Sequence, residues 1–200
     1  MNFALRLFPA LLLGCLALPA LAQEASEDAP TASETLPLGE PVEPALGSTY
    51  VAETHGDWEI RCITVEEGEF EPCQLYQLLT DAEGNAVAEF NVFDVADDDP
   101  VVAGATIITP LDTLLTPGLR LAIDESDQTR FPFGFCQQIG CFVRLGLTED
   151  DLSAFRNGGV ANVTIVPLPA PDQEVVLEAS LSGFTAGFAA LEARSPAAAQ

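Results

Sequence analysis

The stretch Phe135-Cys-Gln-Gln-Ile-Gly-Cys-Phe142 contains two cysteines with four residues between them. Such a pair can be a redox couple, half of a metal site or a disulfide cross-link. A redox couple usually has Cys-X-X-Cys spacing at a helix N-terminus, where the thiolate is stabilised. Here the spacing is wider, and Phe142–Leu147 alternates like a strand. The pattern therefore favours the cross-link.

The N-terminus predicts the compartment. Residues 1–6 form a short positive region, residues 7–21 are almost wholly apolar, and Ala20-Leu21-Ala22 is a cleavage signal. Residues 1–22 are thus predicted to be a signal peptide of an exported protein. The apolar region is shorter than the ~20 residues of a transmembrane helix, so we expect no transmembrane segment. A competing interpretation is Leu12-Leu13-Gly14-Cys15, which resembles a lipobox and would place a lipid anchor on Cys15.

Removal of the signal peptide leaves Cys62, Cys73, Cys136 and Cys141. In an oxidising compartment, four cysteines predict two disulfides with three possible connectivities. We predict nearest-neighbour pairing, 62 with 73 and 136 with 141, with each short loop contributing about 2 to 3 kcal/mol. A zinc site is disfavoured because the only histidine is His55 and because thiols in this compartment form disulfides more readily.

The chain is strongly acidic. It has 31 acidic residues against 7 basic ones, all arginine, and a formal net charge of −24. Such a charge repels nucleic acids and anionic lipid surfaces and favours solubility and cationic partners. We therefore expect no nucleic-acid partner, while the simplest account of the acidity is adaptation to salty surroundings, which screen self-repulsion.

Composition divides the chain into four parts. After the signal peptide, residues 23–50 form an acidic, proline-rich linker that we expect to be disordered because it has few large apolar side chains. Residues 51–194 form one domain, long enough to bury a substantial core. Residues 195–200 are expected to be a frayed tail.

Short alternating segments dominate this domain and predict an antiparallel β-sandwich or barrel with two short helices. The first helix follows the capping residue Thr148 and ends at Asn157-Gly158-Gly159, and the second has Ser182 as its predicted cap. The predicted strands are 58–62, 75–80, 86–95, 101–109, 119–124, 130–135, 141–147, 160–167 and 174–181. On the last helix, Phe184, Phe188 and Leu191 share one face, which predicts core packing.

Several motifs together resemble the invasion-associated locus B family of small exported bacterial proteins. They are His55-Gly56-Asp57-Trp58, Pro72-Cys73-Gln74-Leu75-Tyr76-Gln77, Phe135-Cys136 with Gly140-Cys141, and Ser180-Leu181-Ser182-Gly183-Phe184-Thr185-Ala186. The resemblance spans roughly residues 55–191. It implies a link to host-cell or surface interaction but names no biochemical activity. One departure is the strongly acidic, lysine-free composition, so a basic adhesive surface does not carry over.

No residue pattern indicates catalysis. A serine triad would need His55 as its base, and no Gly-x-Ser-x-Gly elbow occurs. Asp97-Asp98-Asp99 could offer oxygen ligands to calcium but lacks the glycine and distal glutamate of a calcium loop. No pair of acids stands out for glycoside cleavage. We therefore predict no catalytic, cofactor-binding or metal-binding residues.

Three side chains have competing roles. Trp58 could anchor a binding site, but its place on the face shared with Ile60 and Cys62 predicts core packing. Arg61 and Arg144 are predicted to pair with carboxylates rather than to bind a ligand.

The predicted function is a non-enzymatic binding or interaction protein of the bacterial envelope, periplasmic or secreted. Its partner is an unknown protein or envelope component. The alternative is a periplasmic accessory factor for envelope assembly or stress, and a hydrolase or thiol-redox enzyme is a more distant one.

Overall fold

The computed structural model describes residues 39, 42, 44–98 and 100–195, with 96–98 described by their backbone alone. Nearly all of them belong to the compact unit Glu43–Gln200. The predicted signal peptide with Cys15, most of the predicted linker, the acidic run Asp97-Asp98-Asp99 that was considered for calcium and the tail beyond Ser195 lie outside the residues whose side chains are described.

The domain is mainly β, with two antiparallel sheets and two helices. In chain order the strands are β1 Thr49–His55, β2 Trp58–Ile63, β3 Cys73–Thr80, β4 Ala86–Asp98, β5 Val101–Thr109, β6 Leu119–Ile123, β7 Thr129–Phe131, β8 Phe135–Gln137, β9 Gly140–Leu147, β10 Val160–Ile165 and β11 Val175–Ser180. The helices are α1 Glu149–Asn157 and α2 Phe184–Glu192.

The larger sheet has the order β1-β2-β3-β4-β5-β9-β8, and the smaller one has the order β11-β10-β6-β7. The sequence predicted either a sandwich or a barrel. Neither sheet closes on itself, so the arrangement is sandwich-like. None of the helices in the described part of the chain is long and apolar enough to cross a membrane.

Alternation of apolar and polar residues builds the larger sheet as predicted. In β2, Trp58, Ile60 and Cys62 are fully buried, whereas Glu59 and Arg61 are only partly buried on the opposite face. Successive strand residues point to opposite faces, so this strand has one face in the core and one face towards solvent.

The hairpin of β3 and β4 turns at residues 81–85, between the predicted strands 75–80 and 86–95. The Asp81 carboxylate accepts hydrogen bonds from the backbone N–H groups of Glu83 and Asn85, at 3.0 and 2.8 Å, and from the Asn85 side-chain amide. These donors, the Asn85 side chain foremost, lower the pKa of Asp81.

Both predicted helices are present. Thr148 begins α1 with a capping box, in which its hydroxyl accepts from the Asp151 N–H and the Asp151 side chain accepts from the Thr148 N–H. The predicted cap of α2 is wrong by one residue: the N-cap is Gly183 instead of Ser182, and no side chain caps this helix. Gly183 takes the position because the chain turns there with φ 88°.

Aromatic side chains of both helices complete the core. Phe184, Phe188 and Leu191 of α2 are buried, as their spacing predicted. The Trp58 ring makes edge contacts with Phe90 at 5.7 Å and Phe184 at 5.4 Å between ring centroids. Such edge-to-face pairs add to the free energy of burial.

Two strand assignments differ from the prediction. β1 begins at Thr49 and was not predicted, because a register shift between Val51 and Glu53 breaks its alternation. The predicted strand 130–135 is two strands, β7 and β8, which belong to different sheets. Pro132 and Gly134 lie between them, and a proline has no N–H for a sheet ladder.

Candidate interaction surface

Three of the four family motifs converge on one junction between the chain entering β2 and the chain leaving β11. The N–H of Asp57 donates to the Ser182 carbonyl at 3.1 Å. A Cβ atom on Gly183 would lie 2.0 Å from the His55 carbonyl oxygen, and one on Gly56 would lie 2.5 Å from the Ser182 oxygen. The two segments can approach this closely only because both residues are glycine.

Buried polar side chains hold the same junction. The indole N–H of Trp58 donates to the Ser180 carbonyl at 2.7 Å. The Gln77 amide donates to that carbonyl at 2.9 Å and to the Asp57 carbonyl at 3.1 Å. Trp58 is fully buried, which confirms its predicted core role, and Gln77 is 7% exposed. The motif residues at this junction thus have a structural role, joining the larger sheet to β11.

His55 lies beside a carboxylate at the start of the domain. Its Nε2 atom is 2.9 Å from the Glu53 carboxylate, which also binds the guanidinium of Arg194 just after α2. Arg194, and then His55, lower the pKa of Glu53 by hydrogen bonding to its ionised form. This cluster connects β1 to the C-terminal end of the domain.

The two disulfides confirm the predicted pairing. Cys62 is bonded to Cys73 and Cys136 to Cys141. In each case the two residues are direct cross-strand partners, in β2 and β3 or in β8 and β9. The sulfurs of Cys62 and Cys73 and the Glu71 carboxylate are close enough to share a metal ion, but the disulfide leaves no thiolate there to bind one.

A row of mostly apolar side chains crosses the outer face of the larger sheet. Its consecutive members are direct cross-strand partners on neighbouring strands. They are Leu78 in β3, Glu89, Ile108, Phe142 and, in the edge strand β8, Phe135. Leu78 is 47% exposed and Phe135 is 38% exposed. The rings of Phe135 and Phe142 stack with their centroids 4.7 Å apart.

The tip of the β8–β9 hairpin extends this apolar row. Ile139 is 73% exposed. It lines a shallow cleft of about 300 Å³ together with Leu78 and Ile108 from the row and with Val87 and Pro110. We call Leu78, Ile108, Phe135, Ile139 and Phe142 the outer-face patch.

Two arginines border the outer-face patch. The guanidinium carbon of Arg61 lies 3.3 Å from the centroid of the Tyr76 ring, and Arg61 forms an ion pair with Glu59 at 2.9 Å, as predicted. Burial raises the pKa of Tyr76. The prediction for Arg144 is wrong: its guanidinium lies 5.3 Å above the Phe135 ring and makes no ion pair with a described carboxylate.

A buried amide lies in the next row of the same face. Asn91 pairs in register with Tyr76 on one side and Thr106 on the other. It is 4% exposed, and its Oδ1 atom accepts no hydrogen bond within the described part of the chain. An unsatisfied buried carbonyl costs free energy, so this amide lowers the stability of the sheet at this position.

Sequence reasoning did not find the outer-face patch, although part of its signal is present. Leu78 and Phe142 are apolar residues at positions that the strand alternation assigns to solvent. The strand order places them in one row, and that order cannot be read from the alternation of single strands.

Comparison with known proteins identifies the family. Residues 58–192 match the model of the invasion associated locus B (IalB) protein family, which is more than half of the chain. The chain belongs to the invasion-associated locus B family. Two Invasion protein B homologs of Brucella abortus, from strain 2308 and from biovar 1 strain 9-941, are each 26% identical over 148 residues, covering 74% of this chain and 82% of theirs.

A solved structure has the same fold. The crystal structure of invasion associated protein B from Bartonella henselae superposes with a TM-score of 0.60 at 24% sequence identity. The match covers 70% of this chain and 94% of that chain. The resemblance inferred from the motifs is therefore confirmed, and the locus B domain has the mainly β, two-disulfide fold that the sequence predicted.

Proposed function

We propose that this protein is an exported, non-enzymatic interaction protein of the bacterial envelope and that it binds another protein through the outer-face patch. The observation that carries the proposal is the exposure of Leu78 and Phe135 on one sheet face, and of Ile139 at the adjoining hairpin tip, in a chain of net charge −24. Exposed apolar patches on soluble proteins mark sites of association.

The form of the patch favours a protein partner. Its main row follows a sheet surface across the strands from β3 to β9, and it continues to the edge strand β8. Flat or shallow surfaces of this kind suit protein interfaces, in which aromatic and arginine side chains are enriched. Phe135 and Arg144 are such side chains, and the Arg144 guanidinium lies over the Phe135 ring.

The negative charge of the chain indicates that the partner carries basic groups. Glu89 is the one charged member of the row from β3 to β8, whereas the whole chain has 31 acidic residues. A partner with an apolar surface would bury the patch, and basic groups on that partner would be attracted by Glu89 and by the net negative charge of the chain. Such complementarity raises the association rate and selects against acidic partners.

The disulfides support export, because such bonds persist in oxidising compartments. The names of the family and of its Brucella and Bartonella relatives refer to invasion. We assign the protein to the periplasm or the secreted fraction, and its interaction to an envelope or host-surface protein.

Crosslinking in the native envelope followed by affinity purification tests the proposal. Ile139→Asp places a charge at the most exposed position of the outer-face patch. Leu168→Asp is the matched control, because Leu168 is 57% exposed and lies outside the patch. The captured partner is then purified, and its affinity for wild type and both variants is measured by calorimetry.

We expect one specific partner that Ile139→Asp binds at least ~10-fold more weakly, which corresponds to about 1.4 kcal/mol. Leu168→Asp should bind like wild type. Equal binding by both variants, or equal loss in both, would exclude the outer-face patch as the binding surface.

A further inference from the structure

A second cleft, lined by none of the residues of the outer-face patch, has a different chemistry. It lies between the β6–β7 hairpin on one side and α1 with the end of β9 on the other, and its volume is about 340 Å³. That is roughly twice the ~150 Å³ of an apolar cavity that accommodates benzene. The cleft is therefore large enough for a small organic molecule.

The walls of this cleft are apolar. They include Leu121 of β6, Phe131 of β7, Leu147 of β9 and the α1 residues Ala154 and Phe155. Leu147 and Phe155 are each 2% exposed, so they belong to the packed core and form a fixed surface. An apolar group in contact with them would leave water at little conformational cost to the protein.

All ionisable side chains that line the cleft are carboxylates, namely Asp124, Asp127 and Asp151. Backbone and capping contacts fix two of them. Asp124 accepts hydrogen bonds from the N–H groups of Gly159 and Val160, both at 3.0 Å, and Asp151 accepts from Thr148. The Asp127 carboxylate has no hydrogen-bond partner among the described residues. No lining residue is basic.

We propose that this cleft binds a small organic cation, an ammonium group attached to an apolar chain or ring. The apolar walls would bury the chain or ring, and the three carboxylates would neutralise the charge. An anionic ligand would meet repulsion from all three aspartates, and a neutral one would gain no ionic attraction from them. The proposal is independent of the outer-face patch.

Four probes separate the contributions of charge and apolar surface: hexylammonium, hexanol, hexanoate and methylammonium. Binding to the folded, disulfide-bonded protein is followed by NMR, with amide shifts of the isotope-labelled chain recorded at low salt. We expect hexylammonium to bind at least ~10-fold more tightly than hexanol, because of the three carboxylates, and more tightly than methylammonium, because of its five additional methylenes. Hexanoate should bind most weakly, and the shifts should be confined to α1, β6, β7 and the end of β9.

Variants assign the binding to the cleft. Ala154→Phe fills the cleft and should weaken hexylammonium binding more than ~10-fold, since it removes the space that the chain occupies. The same substitution at Ala189, on the exposed side of α2, is the matched control and should leave binding unchanged. Asp127→Asn should weaken hexylammonium binding and leave hexanol binding as it is.

Three results would each overturn the proposal. The first is equal affinity for hexylammonium and hexanol, and the second is binding that Ala154→Phe does not reduce. The third is a set of shifts spread over the acidic surface, which would mean that the cation only screens the net charge of the chain. Thermal unfolding of each variant checks that the fold is intact before binding is compared.

Discussion

The two disulfides lie towards opposite ends of the same sheet and differ in their surroundings. At one end, Cys62 is fully buried in β2, the strand whose first residue, Trp58, belongs to the junction with β11. At the other end, Cys136 is exposed and belongs to the edge strand that presents Phe135. Both bonds join direct cross-strand partners. The Cys62–Cys73 disulfide thus stabilises the core, whereas the Cys136–Cys141 disulfide orients a surface side chain.

The largest effect on stability should come from the Cys62–Cys73 end. Replacing both cysteines with alanine opens an 11-residue separation, for which the loop-entropy model gives about 3 kcal/mol. It also removes sulfur atoms from a fully buried position, so about 1 kcal/mol more is expected from the cavity. Urea unfolding should therefore show a loss of about 4 kcal/mol, and a loss below that of the Cys136–Cys141 variant would contradict the comparison.

Gly183→Ala tests the junction without touching either disulfide. The new Cβ would lie 2.0 Å from the His55 carbonyl oxygen, at a residue with φ 88°. We expect a loss of about 2 to 3 kcal/mol in the free energy of unfolding.

Gly84→Ala is the matched control for this substitution. Gly84 has φ 84°, but nothing lies within 4 Å of the position that a Cβ atom would take there. Gly84→Ala should lower the free energy of unfolding by only the ~1 kcal/mol that a residue other than glycine costs in the left-handed backbone region. If the two variants lose equal stability, the close approach at the junction contributes nothing.

Replacing Cys136 and Cys141 with alanine should have a smaller effect on stability and a larger one on binding. The sequence separation is 5, which gives about 2 kcal/mol in the same model. Loss of the bond should free β8 from β9, so amide exchange at residues 135–137 should accelerate while the core strands remain protected. Unchanged exchange at these residues would mean that the disulfide does not orient Phe135.

The smallest effect is expected at Glu53, in β1 next to the Cys62 end. Its pKa is lowered by Arg194 and His55, so the ionised form stabilises the fold. This contribution is complete above the unfolded pKa of about 4.3 and disappears as the pH falls through the lower folded pKa. Glu53→Gln should therefore lower the Tm at pH 7, and the difference from wild type should vanish in acid.

Glu67→Gln controls for the loss of one negative charge in this acidic chain, because Glu67 is an exposed residue of the β2–β3 loop. A Tm difference between Glu53→Gln and Glu67→Gln that stays constant from pH 7 to pH 3 would show that the ion pairs of Glu53 do not carry the effect.

Much of the fold follows from local sequence signals. The alternation in β2, the turn at Asp81 and the capping residue Thr148 each specify a short segment through contacts within it, and the structure agrees with all three. The disulfide pairing also followed from the positions of the cysteines and the predicted compartment. β1 was missed because its bulge interrupts the period of two that identifies a strand.

The candidate sites depend on strand order, which single segments do not reveal. Phe135 and Leu78 are 57 positions apart in the sequence and join one row only because β9 inserts between β5 and β8. Arg144 illustrates the same limit, since its contact with Phe135 depends on the β8–β9 register. The cleft beneath α1 likewise could not be found from the sequence, because its walls come from both sheets and from the helix.

Hydroxyl-radical footprinting in the native envelope tests most directly whether the Cys136 end is an interaction surface. Side-chain oxidation of Phe135, Ile139 and Phe142 is compared between the envelope and the purified protein, with exposed Leu168 as the internal reference. We predict that the three residues of the outer-face patch are protected in the envelope while Leu168 is not. Equal oxidation of the patch in both samples would contradict the account.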